Sequence, residues 1–266
     1  HIEFLGSRDK IADAKMEITD FLQEDGEFIY NGDEPLLAER AAKLSQDKST
    51  FGFADSDSIH ASDLRSTMHH SFFKINGTDR EFSIPMIGRH NVANAMAAIL
   101  VGRHFGESDE EIAAGLANFV PTANRMEWEK GDCGEDIMSD IYNSNPTAVK
   151  AVTASFGQVP VSEGGRRIAV LADMLELGSR SADLHKGLAA CLDPDKINVL
   201  YLYGLEMNHL YQALLDKYGQ QNLHYYPEDE MSHLIDDLKG DIHSQDIVLL
   251  KGSHGMHLER VLDRLK

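Results

Sequence analysis

The residues best suited to chemistry follow predicted strands in the second half of the chain. Asp173 and Glu176 come after one apolar run, and Lys251-Gly-Ser253 comes after another and before a predicted helix. Ligands of parallel α/β sheets bind at the carboxyl ends of strands, which favours these side chains and Gly204 as ligand contacts. A cation, a flexible backbone and a hydroxyl at a helix N-terminus are typical of an anion site. A glycine-containing turn with a solvated lysine fits Lys251-Gly-Ser253 equally well.

A second candidate site is the turn that follows the apolar run 137–139. The run ends at Asp140, a polar turn with Tyr142, Asn143 and Asn145 follows, and Pro146 opens a helix. The sequence is irregular before this turn, and strands and helices alternate regularly after it. The turn is therefore predicted to be both a hinge between domains and a place where a ligand binds.

Three further polar residues lie in the first half. Asn91 and Asn94 are three residues apart at the start of a predicted helix, so both could face one ligand. A capping or surface role is the alternative, and the spacing alone favours it. Arg125 follows a proline-containing loop and begins a predicted strand. An arginine at such a position is usually a surface ion-pair residue, and it becomes a binding residue only beside a phosphate.

The elements that position these residues indicate an α/β protein with two domains, 1–144 and 145–266. In the second domain, apolar runs separated by helices predict a mostly parallel sheet covered on both faces. In the first, a β-α-β pattern is followed by a hairpin signal at Asn76-Gly77, which predicts an antiparallel addition to an α/β core. The strand ends carry no Gly-x-Gly-x-x-Gly pattern, so a dinucleotide cofactor is not indicated.

The composition excludes several classes of partner. The 266 residues include 25 basic and 44 acidic side chains, and the net charge of −19 would repel a nucleic acid backbone. No apolar run approaches the ~20 residues that span a bilayer, so membrane insertion is not expected. The two cysteines form no disulfide scaffold and suit a reducing compartment. We expect a cytoplasmic, monomeric protein.

Several motifs in fixed order resemble those of one family, the Mur ligases of bacterial cell-wall synthesis. The most specific are the runs Asp140-Ile-Tyr-Asn-Ser-Asn-Pro146 and Asp173-Met-Leu-Glu-Leu-Gly178. The others are His1-Ile-Glu-Phe-Leu-Gly6, Ala14-Lys-Met-Glu17, Asn31-Gly-Asp-Glu34, His90-Asn-Val-Ala-Asn-Ala95, Asn124-Arg-Met-Glu127 and Lys251-Gly-Ser253. Ser144 stands where the family usually has alanine.

The resemblance implies the later part of a central ATPase domain followed by a Rossmann-like C-terminal domain. It also implies a reaction in which ATP and Mg²⁺ are used to join D-alanyl-D-alanine to UDP-N-acetylmuramoyl-tripeptide through an acyl phosphate. Neither the UDP-binding domain nor a Gly-x-x-Gly-Lys-Thr phosphate loop is present in the 266 residues. The sequence is therefore expected to be a fragment that is inactive alone.

The same resemblance implies roles for individual residues. His1 and a carbamylated Lys15 would bind magnesium, and Lys15 and Arg125 would be catalytic. The implied contacts to ATP are Asn91 and Asn94 to adenine, Arg125 to the phosphates, Asp140 to the ribose, and Tyr142 and Asn143 in the following turn. The implied contacts to the peptide substrates are Asn145, Asp173, Glu176, Lys251 and Ser253.

Two alternatives stay open. One is a sibling ligase of the Mur or folylpolyglutamate type, although the Asp-Asn-Pro-Arg motif of the diaminopimelate-adding enzymes is absent. The other is a non-catalytic module that binds a nucleotide or a peptide.

Overall fold

The computed structural model describes residues 2–266, with side chains from residue 3, and divides into two compact units. These units are His1–Val120 and Pro121–Lys266, so the division falls earlier than the predicted boundary between 144 and 145. The reason is strand pairing: the strand that ends at Asp140 joins the sheet of the second unit. The predicted hinge at 140–146 thus lies inside the second unit. His1, predicted as a metal ligand, lies outside the described residues.

The N-terminal unit is built on a five-stranded mixed sheet in the order β1-β2-β3-β4-β5. The first three strands are parallel, and β4 and β5 add in antiparallel fashion, which confirms the predicted hairpin. The long helix α4 packs its buried Val92, Met96 and Ile99 into the apolar core of this unit. The strands are Glu27–Asn31, Asp47–Gly52, Ile59–Ser66, Ser71–Ile75 and Glu81–Ile84, and the helices α1 to α5 are Ile2–Leu5, Arg8–Met16, Pro35–Ala41, Arg89–His104 and Asp109–Ala117.

The C-terminal unit is built on a six-stranded sheet in the order β10-β9-β8-β11-β7-β6. All strands are parallel except β6, which pairs with β7 in antiparallel fashion. Every residue of β9 and β11 is buried, as predicted for strands covered on both faces. The strands β6 to β11 are Glu127–Lys130, Asp136–Asp140, Arg167–Ala172, Val199–Tyr203, Leu223–Tyr226 and Ile247–Lys251. The helices α6 to α10 are Pro146–Phe156, Ser181–Lys186, Met207–Tyr218, Met231–Asp241 and Glu259–Leu265.

The strand order of this second sheet changes direction between β8 and β11. From β8 the chain moves outward to β9 and β10, and it then returns to place β11 on the other side of β8. In open α/β sheets a ligand crevice forms at the carboxyl ends of the two strands that flank such a reversal. The loops that follow β8 and β11 therefore define the expected site. None of the described helices is long and apolar enough to cross a lipid bilayer.

Candidate functional site

Three strands bring the predicted site residues of the C-terminal unit to one edge of its sheet. Lys251, the last residue of β11, lies in register with Asp140 at the end of β7 and with Leu171 near the end of β8. The loops 141–145, 173–178 and 252–257 therefore leave the sheet at the same level. The rule that ligands bind at the carboxyl ends of parallel strands thus pointed to loops that are neighbours in the structure.

Backbone strain is concentrated at the same edge. Among the described residues of this unit, the non-glycine residues with a left-handed backbone are Asn124, Met126, Glu176 and His257. Glu176 and His257 lie in the loops after β8 and β11. Asn124 and Met126 lie just before β6, whose first residue pairs with Ser139 beside the end of β7. Strained backbone of this kind costs about 1–3 kcal/mol per residue and tends to cluster at functional sites.

Lys251 is held inside this edge by the turn that follows β7. Its side chain is 1% exposed, and its Nζ donates to the backbone oxygens of Asp140, at 3.2 Å, and of Asn143. It also forms an ion pair with Asp140 Oδ2 at 3.2 Å. Burial lowers the pKa of the Lys251 ammonium, and the Asp140 carboxylate counteracts part of that shift. The ammonium therefore fixes the 140–143 turn, and its contact with a substrate stays a prediction.

The turn presents an aromatic side chain, and a cationic side chain from the loop before β6 packs on it. The Tyr142 side chain is 53% exposed, and the guanidinium carbon of Arg125 lies 4.3 Å from the centre of its ring. Such a cation–π contact contributes ~0.5–1 kcal/mol at an exposed site. Asn143 is exposed, whereas Asn145 accepts a hydrogen bond from the Ala148 N–H at 2.9 Å and caps α6. Arg125, Tyr142 and Asp140 are thus together, and Asn145 has a structural task.

Asp173, predicted to bind substrate, caps α8 with both carboxylate oxygens. They accept hydrogen bonds from the backbone N–H groups of Glu206, at 3.0 Å, and Met207, at 2.8 Å. Burial raises the pKa of the Asp173 carboxyl, although these two hydrogen bonds counteract it. The carboxylate fits closely under Gly204, where an added Cβ would lie 2.4 Å from Asp173 Cγ. Asp173 thus joins β8 to α8, and direct substrate contact stays a prediction.

Ser253 ties the loop after β11 to the loop after β8. Its N–H donates to the Asp173 carbonyl at 3.3 Å, and its Oγ accepts from the Leu175 N–H at 2.9 Å. Glu176, next in the loop, is exposed. Lys251 and Ser253 are two residues apart, so one strand end holds both the 140–143 turn and the 173–175 segment.

His185 is a site residue that the sequence reasoning missed. Its ring is fully buried, its Nε2 accepts from the Met174 N–H at 2.9 Å, and its Nδ1 donates to the Ser181 carbonyl at 2.8 Å. These bonds fix the tautomer and the backbone of the 173–178 loop. A polar His185 one turn after Ser181 on a short helix was the available signal, and it is a weak one.

The predicted residues of the N-terminal unit differ in exposure. Asn91 is 7% exposed, and its Nδ2 donates to the Ile87 carbonyl at 2.9 Å, whereas Asn94 is exposed. Their side chains are therefore not equivalent contacts for one ligand. Lys15 is exposed in the last turn of α2.

Of the two predicted magnesium ligands, Lys15 lies among the described residues and His1 outside them. The described residues contain no group of three or more His, Cys, Asp or Glu side chains placed to hold a metal ion. An unmodified lysine offers Mg²⁺ no oxygen, so Lys15 does not fit the ion in the form present here.

Two family models match the chain. The Mur ligase middle domain matches residues 1–102, and the Mur ligase glutamate ligase domain matches residues 124–254. The chain therefore belongs to the Mur ligase family, as its motifs indicated.

Among its relatives are enzymes with one name, UDP-N-acetylmuramoyl-tripeptide–D-alanyl-D-alanine ligase. The chain is 38% identical over 266 residues to the one from Bacillus subtilis (strain 168), covering 100% of this chain and 56% of the relative. It is 28% identical over 274 residues to the one from Escherichia coli (strain K12), covering 100% of this chain and 58% of the relative. The chain thus spans little more than half the length of these enzymes.

Solved structures agree with the fold. A crystal structure of MurF from Acinetobacter baumannii matches with a TM-score of 0.85 and 25% identity, covering 100% of this chain and 57% of that one. MurF from Thermotoga maritima, solved in complex with ADP, matches with a TM-score of 0.82 and 23% identity, covering 100% and 58% of the two chains.

Proposed function

We propose that this chain supplies the middle and C-terminal domains of a ligase that joins D-alanyl-D-alanine to UDP-N-acetylmuramoyl-tripeptide, with ATP converted to ADP and phosphate. The observation that carries the proposal is the 38% identity to the Bacillus subtilis ligase of that name over all 266 residues. The proposal extends to a cytoplasmic, monomeric protein. Magnesium use is proposed from the family resemblance.

The chemistry of the proposed reaction explains why a cationic edge is needed. A carboxylate is a poor electrophile, so it is first phosphorylated and the amine then displaces phosphate from the acyl phosphate. Phosphoryl transfer between two anions requires positive charge beside the phosphates. The chain has a net charge of −19, and Arg125 is an exposed cation at the expected edge of the sheet. We assign it to the phosphates.

Most of the remaining assignments concern side chains at the same edge of the C-terminal unit. Asp140 would accept hydrogen bonds from the ribose hydroxyls, because Lys251 fixes its backbone and balances its charge. Tyr142 and Asn143, exposed in the same turn, would contact the nucleotide. Glu176, in the loop held by Ser253, would contact the incoming dipeptide. Contacts of Asn91 and Asn94 with adenine, and a catalytic carbamylated Lys15, belong to the same proposal.

The test is an ADP-release assay on the full-length protein encoded by the gene that contains this sequence. We expect ADP release to require both UDP-N-acetylmuramoyl-tripeptide and D-alanyl-D-alanine, and the product mass to increase by one dipeptide residue. The Arg125→Ala variant should lose about 100-fold or more in kcat/KM, as for a lost transition-state donor. Arg264→Ala is the matched control, because Arg264 is an exposed arginine near the C-terminal end of α10.

The alternatives give different results in the same assay. ADP release supported by another amino acid in place of the dipeptide would indicate a sibling ligase. Nucleotide binding without ADP release in the full-length protein would indicate a binding module. The 266-residue chain alone is expected to show no turnover, because it contains no Gly-x-x-Gly-Lys-Thr loop.

A further inference from the structure

Arg125 lies between two residues with a left-handed backbone. Asn124 has φ +60° and Met126 has φ +52°. Asparagine tolerates this region, but an unbranched side chain such as that of Met126 is held there at a cost of roughly 1–2 kcal/mol. Two such residues on either side of one arginine need specific contacts to persist.

The two left-handed residues that flank Arg125, Asn124 and Met126, are held by contacts with the core and with β7. The Met126 side chain is 4% exposed, so its burial anchors one side. On the other side, Asn124 Oδ1 accepts a hydrogen bond from Ser139 Oγ at 3.1 Å, and the Asn124 N–H donates to Glu127 Oε2 at 3.0 Å. Ser139 is fully buried in β7 and pairs with Glu127. The loop is thus fastened to the sheet at both ends.

The contacts of Asn124 and Met126 fix the position of the Arg125 guanidinium. Its backbone N–H donates to the Thr122 carbonyl at 3.2 Å, and its side chain stacks on the Tyr142 ring. Among the described residues no carboxylate forms an ion pair with it. A long arginine side chain loses up to ~2 kcal/mol of rotamer entropy when it is immobilised. If the Arg125 side chain is already held in place before a ligand binds, this loss does not weaken binding.

We infer that Asn124, anchored by Ser139, is a positioning residue that presets Arg125 for a phosphate-bearing substrate. This inference rests on the proposed function, because the phosphate is that of the proposed ATP. The Asn124 side chain supplies two things that alanine lacks: tolerance of the left-handed backbone and the acceptor for Ser139. Asn124→Gly retains the first, and Ser139→Ala removes only the second.

The first experiment needs no activity. Amide hydrogen exchange at Arg125 in the ligand-free full-length protein should accelerate about 10-fold or more in Asn124→Ala, since opening of the loop frees the N–H bound to Thr122. Asn124→Gly and Ser139→Ala should give smaller increases. Asn222→Ala, an exposed asparagine just before β10, should give none. An unchanged exchange rate at Arg125 in Asn124→Ala would overturn the inference whatever reaction the protein catalyses.

The second experiment asks whether the effect passes through Arg125. Asn124→Ala should raise the KM for ATP about 10-fold with a smaller change in kcat, and it should have no further effect on KM in the Arg125→Ala background. An equal rise in both backgrounds would show a general structural defect and contradict a positioning role. If the wild-type protein releases no ADP, the proposed function fails, while the exchange result still decides whether Asn124 holds Arg125.

Discussion

Replacement of Lys251 by methionine tests the structural role assigned to its ammonium. Methionine retains most of the apolar stem and removes the charge that pairs with Asp140 and binds two carbonyl oxygens. Removing one partner of a buried ion pair costs about 3–5 kcal/mol. The Asp140 side chain is 17% exposed and can regain some water, so we expect the lower end of this range, about 3 kcal/mol.

Urea unfolding followed by tryptophan fluorescence measures this loss of unfolding free energy for the C-terminal unit. Trp128 is the only tryptophan, and it lies on β6 opposite Met138 of β7. With a slope of about 2 kcal/mol per molar urea, the expected loss lowers the midpoint by about 1.5 M. Asp140→Asn combined with Lys251→Met should be more stable than Lys251→Met alone, because no anion is then left unpaired.

The control is Lys150→Met, which changes an exposed lysine on α6 of the same unit. Its midpoint should move by less than about 0.3 M, as is usual for a surface substitution. If Lys251→Met moved the midpoint no further than this control, the ammonium would not be holding the turn. Lys251 would then be available as a cation for a substrate anion.

Three further variants test other features of the C-terminal unit by the same fluorescence method. Ser144→Ala should leave stability unchanged or raise it by about 1 kcal/mol, because the Ser144 hydroxyl is buried and finds no hydrogen-bond partner in the described part of the chain. Gly204→Ala should destabilise by more than about 2 kcal/mol, since φ is +116° and the new Cβ would overlap Asp173. Asp246→Asn should destabilise at neutral pH. Burial raises the pKa of the Asp246 carboxyl, but hydrogen bonds from Arg166 and from the His243 N–H, together with the Arg166 charge, leave the pKa below its ordinary 3.8. The contribution of Asp246 is therefore present above pH 3.8 and lost as the pH falls through the lowered value, so the difference from wild type should shrink there.

The strands of the C-terminal unit and the edge that carries its site were predictable from local pattern. Continuous apolar runs of the length of β8 and β11 are typical of buried parallel strands, and the polar residues after them mark the carboxyl edge. The roles of those residues were not predictable in the same way. A carboxylate after a strand, such as Asp173, can meet a ligand or cap a helix. The N–H group that decides this belongs to Glu206, 33 residues along the chain.

The structure divides the chain earlier than the predicted boundary because strand pairing is not local. Asp140 ends a strand whose partner contains Lys251, 111 residues later, and nothing in the residues around Asp140 records that partner. The change in sequence texture at 140–146 marks the passage from an antiparallel hairpin to regular strand–helix alternation within one unit. The same change of texture is also typical of a passage from one domain to the next, so the local sequence does not distinguish the two.

The position of β11 has a consequence for how this unit assembles. Among the strands of the described residues, β11 is the last in sequence but lies between β7 and β8, and no other of these strands joins the two. During synthesis β8, β9 and β10 can pair with each other as they emerge, whereas the β6–β7 hairpin must wait for residues 247–251. Pairings over such long separations are slow to form, and until then β7 and β8 each expose an unpaired apolar edge. The nascent chain is therefore most prone to aggregation just before its final strand arrives.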